Sequence, residues 1–293
     1  MSSCIDSIRF ELGPETRLGT STPASLVAGT LQKRAGIKSM TREILDFYES
    51  LADYYHLIFD DWDRSIDRQA KVLDLLLSRE LPKRPLSILD CACGIGTQAL
   101  GFASLGHHVV ASGLSAMEVR RAEREANLRS LNIEFHVSDM TNLNGIPEAH
   151  FDVVAALDNA LPHLTSGELV QAIKTMASRL NAGGLFIASI RDYDELLQLR
   201  PTMQEPAFFG SEGARRIVHQ VWDWIGPAEY KLHLYISHQD DQQWKTHHFV
   251  AEYRCVKRRE LSDVLRSTGF QEPVWLMPGE SGYYQPLVLA RWP

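Results

Sequence analysis

The stretch Ser87-Ile88-Leu89-Asp90-Cys91-Ala92-Cys93-Gly94-Ile95-Gly96-Thr97-Gln98 constrains this chain more than any other. A short apolar run that meets a carboxylate and then two glycines one residue apart predicts a buried strand, a tight loop and a helix. Glycine lets backbone approach a ligand closely, and the free amides at the start of the next helix, expected over 97–105, favour polar or anionic groups. The loop lacks the third glycine of a dinucleotide fingerprint, because Ala99 stands where Gly-x-Gly-x-x-Gly requires it.

Composition narrows the partner. The chain has 293 residues, 44% of them hydrophobic, enough for one large core in one or two domains. A net charge of −7 argues against a nucleic-acid surface, which needs clustered Lys and Arg, and favours a small or polar ligand. No apolar run is long enough to span a bilayer and the N-terminus has no secretory pattern, so a membrane role is not expected and the expected location is cytoplasmic. Of Cys4, Cys91, Cys93 and Cys255, the middle pair sits inside the glycine loop. Its one-residue spacing suits small buried side chains better than a metal pair. The histidines at 219, 233, 238, 247 and 248 follow no helical metal-binding spacing and read as strand-face residues.

The spacing Asp90-x-x-x-Gly94-x-Gly96 resembles motif I of the class I S-adenosylmethionine-dependent methyltransferases, and further segments resemble their glycine/sarcosine N-methyltransferase-like group. The resemblance covers residues 45–195 by motif. It implies an α/β fold: a Rossmann-like seven-stranded methyltransferase sheet with helices on both faces and a small antiparallel β insertion. It implies S-adenosyl-L-methionine as cofactor, held at Asp90, Cys91, Ala92, Gly94 and Gly96. From the segment ahead of the sheet it implies an aromatic lid with Tyr55 and Trp62, and Arg68 against the cofactor's carboxylate. After the second strand it implies Gly113, Leu114 and Ser115 beside the ribose, and after the third Asp139 and Met140 beside the adenine. Asp158, Asn159 and His163 fall on positions that contact cofactor or substrate, with helix capping the alternative for Asp158 and Asn159. Arg191 falls where an arginine anchors an anionic group of the acceptor, and Tyr193 where a tyrosine closes the pocket wall; Asn159, His163, Arg191 and Tyr193 form the expected catalytic set.

One position departs from the pattern. The family usually ends its second strand with an acid that binds both ribose hydroxyls, and this chain has Gly113 there. Weaker cofactor binding, compensation from elsewhere (Ser112 or Ser115) and loss of catalysis are the three readings left open. The same gap disfavours a nicotinamide cofactor.

Residues 1–39, rich in Ser, Thr, Gly and Ala without a sustained period, are expected to form a flexible extension whose deletion leaves cofactor affinity unchanged. The methyltransferase domain is expected over 40–293, with a helical lid at 40–80 and the antiparallel insertion at 205–255, where alternation between turn-rich breaks predicts three strands. The expected activity is in-line methyl transfer to the nitrogen of a small amine or amino-acid-like acceptor. A small-molecule O-methyltransferase and a non-catalytic nucleoside-binding scaffold are the alternatives. A homo-oligomer is compatible with the sequence; the acceptor is not legible in it.

Overall fold

The structure is a computed structural model and describes residues 32–241 and 243–293. Of the expected extension, residues 1–31 lie outside the described residues, and from Gln32 the chain is helical rather than extended: helix α1 spans Gln32–Leu51. A short 3-10 turn follows at Tyr55–Ile58, then α2 at Trp62–Glu80, opened by Asp61, whose carboxylate accepts from the Arg64 amide.

Strands β1 (Ser87–Asp90), β2 (His108–Gly113), β3 (Ile133–Val137), β4 (Phe151–Ala156), β5 (Leu180–Ser189), β10 (Val274–Leu276) and β11 (Leu287–Arg291) form one sheet in the order β10-β11-β5-β4-β1-β2-β3. The five from β3 to β5 are parallel, and β11 runs antiparallel to β5. Parallel neighbours need crossovers, supplied here by α3 (Thr97–Ser104), α4 (Ala116–Leu128) and α5 (Ser166–Ala177). Both faces are buried, so the strands read as near-continuous apolar runs whose alternate residues serve opposite cores. Leu89, Val154, Phe186 and Val288 pack under α5 and α7 (Arg258–Thr268), whereas Ile88, Val153, Ile187 and Leu287 pack under α2 and α3.

A second sheet lies between β5 and α7 in the sequence. After the short α6 (Tyr193–Leu199), β6 (Met203–Phe209), β7 (Arg216–Trp224), β8 (Glu229–Asp240) and β9 (Gln243–Arg254) pair antiparallel in chain order. The expected three strands are present with one more ahead of them. Its inner face carries Val218, Trp222, Leu232, Leu234, Ile236, Phe249 and Ala251 and packs with Phe47, Leu51, Tyr193 and Leu196 into a third core. Of the histidines, His238 and His247 lie on this inner side, where His247 stacks on Tyr54, while His219, His233 and His248 lie on the outer face with Tyr235. Among the described residues no helix is long and apolar enough to cross a membrane.

Candidate functional site

The carboxyl ends of β1, β2, β3 and β4 open onto one cavity of roughly 1000 Å³, its mouth included. It is walled by Cys91–Ile95, Gly113, Leu114, Ser138–Thr141, Leu157, Asp158 and Ala160, and roofed by Ile44, Tyr48 and Tyr55. Crevices at the carboxyl ends of parallel strands are where α/β sheets bind ligands.

The β1 turn is shaped by three backbone bonds: the amides of Cys91, Cys93 and Gly96 donate to the carbonyls of Ala155, Ser112 and Cys93. Gly94 and Gly96 have φ of 51° and 95°, and a β-carbon on Gly96 would come within 3.1 Å of the Ala122 methyl. Only glycine fits both the conformation and the space at 96. Cys91 and Cys93 are buried beneath the turn, and burial pushes both thiols up. Asp90 does not line the cavity. It lies under the turn, 1% exposed, with Oδ1 accepting from the Ala92 amide and Oδ2 without a partner. Burial, helped by nearby Asp158 and opposed by the Ala92 amide, pushes its carboxyl up to about 7.

At the end of β2, Gly113 and Leu114 line the cavity as expected, but Ser115 does not. Its hydroxyl caps α4 by accepting from the Glu118 amide, and the fully buried Ser112 donates to the Asp90 carbonyl, so neither serine stands in the cavity wall in place of the missing acid. Glu118 itself was missed from sequence. It is 4% exposed, lines the cavity, and keeps Oε1 unpartnered, and burial raises its carboxyl well above the usual range. A charged residue at the third position of a helix reads as ordinary first-turn acid; only the tertiary fold shows it turned inward. At β3, Asp139 and Met140 line the cavity, and Asp139 forms a local turn by accepting from the Thr141 amide.

The end of β4 holds two consecutive non-glycine residues in left-handed conformation, Asp158 (φ 56°) and Asn159 (φ 64°). Asp and Asn tolerate that region better than other side chains. Asp158 turns to the cavity, where Tyr55 and Tyr284 donate to its two oxygens and burial raises its carboxyl. Asn159 turns away. Its carbonyl oxygen accepts from the Arg191 amide at 3.0 Å and the Tyr193 hydroxyl at 3.1 Å, so the expected offer of that oxygen to a substrate amine is corrected: both lone pairs are taken. Arg191 and Tyr193 join the same structural network. The Arg191 guanidinium donates to Tyr230 and Gln220 and lies over Trp222 and Tyr253, and none of Asn159, Arg191 and Tyr193 lines the cavity.

His163 is in the cavity wall beside Tyr48. Its Nδ1 faces the Glu252 carbonyl at 3.3 Å and its Nε2 the Tyr48 hydroxyl at 2.7 Å. A carbonyl only accepts, which assigns the proton to Nδ1 and makes Nε2 the acceptor of the Tyr48 proton. Burial, with Arg191 nearby, pulls His163 down to about 4, so the ring is neutral near pH 7.

Two lid residues stand elsewhere than expected. Trp62 packs behind the wall, its indole donating to the cavity-lining Thr97, with Arg121 and Arg129 over its ring. Arg68 points from an exposed face of α2 to a separate shallow hollow beside Gln69, Val72, Tyr283 and Tyr284. The helical rotation that buries Ile66, Gln69 and Ala70 against the sheet sends Arg68 outward. Among the described residues no cluster of His, Cys, Asp and Glu is arranged for a metal.

Residues 88–184 match the family described as a methyltransferase domain. Human glycine N-methyltransferase is 29% identical over 154 residues, which cover 48% of this chain and 51% of that one. The chain spans about half the length of the curated relatives it matches. Among solved structures, a sugar N-methyltransferase from Streptoalloteichus sp. superposes with a TM-score of 0.65 at 16% identity, covering 95% of this chain and 99% of that one. An S-adenosylmethionine-bound amino pentose methyltransferase from Micromonospora echinaspora superposes with a TM-score of 0.64 at 19% identity, over 78% and 92%.

Proposed function

We propose, for a chain whose residues 88–184 form a methyltransferase domain within a class I methyltransferase fold, that it transfers a methyl group from S-adenosyl-L-methionine to the nitrogen of a small amine. The observation that carries the reading is the cavity itself, lined by a glycine turn, by the tips of neighbouring parallel strands and by an uncharged Tyr48–His163 pair. The residues fit such a cofactor. A buried, unpartnered carboxyl oxygen on the cavity-lining Glu118 suits a ligand rich in hydroxyl donors.

When bound, the cofactor supplies a methyl group already activated on a sulfonium, so the protein chiefly positions a neutral nucleophile. Tyr48, whose proton goes to His163 Nε2, keeps its oxygen lone pairs for an amine N–H and so turns the amine's own lone pair toward the cavity centre. His163, neutral and buried, holds the Tyr48 hydroxyl in that orientation, and the proton that the amine sheds passes to solvent. Asp158, held by Tyr55 and Tyr284, adds a polar wall. The nitrogen acceptor is supported by the sugar N-methyltransferase, the amino pentose methyltransferase and the glycine N-methyltransferase among similar proteins.

The test is incubation of the full chain with S-adenosylmethionine and a panel of amino sugars, amino acids and phenols, read by mass spectrometry. A single methyl gain on an amine is expected. Methylation of hydroxyl acceptors alone overturns the nitrogen reading, and cofactor binding without turnover across the panel overturns the enzyme in favour of the scaffold.

A further inference from the structure

We infer that Glu118, on the first turn of α4, is the acceptor for the two ribose hydroxyls of the nucleoside, doing from that helix what no side chain at Gly113 can do. The inference rests on the proposed cofactor and deepens it.

Three observations converge. The ends of β1, β2 and β3 lie side by side in the sheet, so an extended nucleoside crossing them meets the glycine turn, then the β2 end, then Asp139–Met140. The middle position belongs to the sugar, and the carboxylate standing there is Glu118. Its oxygens lie 3.8 and 4.0 Å from the point where a β-carbon on Gly94 would be, and a β-carbon on Gly113 would lie 3.8 Å from the Gly94 amide nitrogen. Positions 113 and 118 therefore both border Gly94 at the end of β2, and of the two only 118 carries an acid.

The other acids around the cavity are engaged or displaced. Both Asp158 oxygens accept from tyrosines, Asp139 accepts from Thr141, and Glu168 closes a capping box with Thr165. Asp90 lies beneath the turn. Glu118 lines the cavity and has a buried oxygen with no donor in the protein, and a carboxylate is an acceptor that a vicinal pair of hydroxyls matches.

The test is isothermal titration of the full chain with S-adenosylhomocysteine and with its analogue lacking both ribose hydroxyls, a readout independent of turnover. Wild type is expected to bind S-adenosylhomocysteine, and Glu118→Gln to bind it about 10- to 100-fold more weakly, the worth of a hydrogen bond to a charged group, while both bind the dideoxy analogue alike. Glu118→Gln/Gly113→Asp is expected to recover affinity for S-adenosylhomocysteine alone, because a β-carbon at 113 comes no nearer than 3.3 Å to any neighbour, the Val119 methyl, and Gly113 has no left-handed φ. Thermal melts establish that each variant is folded. Equal loss for both ligands, or no loss, overturns the assignment of Glu118 while the proposed function stands. Failure of wild type to bind either ligand overturns both.

Discussion

Asp90 shows how a single side chain trades stability for a loop. Its carboxyl is pushed up to about 7 by burial, so between about pH 4, where the unfolded chain releases this proton, and pH 7 the folded chain still holds it. The native state binds more protons across that window, and stability falls as pH rises through it. Asp90→Asn keeps an oxygen for the Ala92 amide and removes the charge. It is expected to raise the melting temperature at pH 8 by several degrees and leave it nearly unchanged at pH 4, as thermal melts at both values will show. His163 works with the opposite sign. Pulled down to about 4, it costs stability as pH drops below about 6.5, where the unfolded ring takes up a proton that the folded ring refuses. His163→Gln is expected to lower kcat about 10-fold by loosening the hydrogen bond that orients Tyr48, without changing the affinity for S-adenosylhomocysteine; steady-state kinetics beside isothermal titration separates the two.

At the scale of elements, α2 and α3 cross at Gly101, where an added β-carbon would lie 2.7 Å from the Ala70 methyl and 3.2 Å from the Ile66 carbonyl. Gly101→Ala is expected to cost about 1–3 kcal/mol by forcing the helices apart, measurable as a lower urea midpoint. The β5 end is joined to the second sheet through Arg191. Arg191→Lys loses the planar fork that serves Tyr230 and Gln220 and lies over Trp222, and is expected to cost about 1–3 kcal/mol with a change in the near-ultraviolet circular dichroism of that cluster. Elements of this kind were legible in the sequence because burial on both faces leaves uninterrupted apolar runs such as Val153–Leu157, and because Gly94 and Gly96 punctuate the one turn that must be tight. Side-chain direction was not. Asn159 and Asp158 are adjacent and equally polar, yet two left-handed residues send one to the cavity and the other to Arg191 and Tyr193 beyond the end of β5. Arg68 fits an arginine's place in the lid but sits on the outward face of α2, and Glu118 looks like a surface acid until the β2 turn is closed around it.

Over the whole molecule, the cavity is made from the loops at one end of the seven-stranded sheet and the segment before it. Among the described residues its lining begins at Ile44; deletion of residues 1–31 is expected to leave affinity for S-adenosylhomocysteine unchanged, whereas deletion through residue 53 removes Ile44 and Tyr48 and weakens it, and titration of the two truncated chains checks this. The segment that carries Tyr55 is fastened from the far side as well. Arg216 on β7 donates to the carbonyls of Leu57, Phe59 and Asp60, three bonds from one guanidinium. A cover clasped in this way cannot swing clear by itself. Passage of a nucleoside in or out becomes a shared movement of the cover and the four-stranded panel behind it, and the stiffness of that panel, remote from any reacting atom, would set the tempo of exchange.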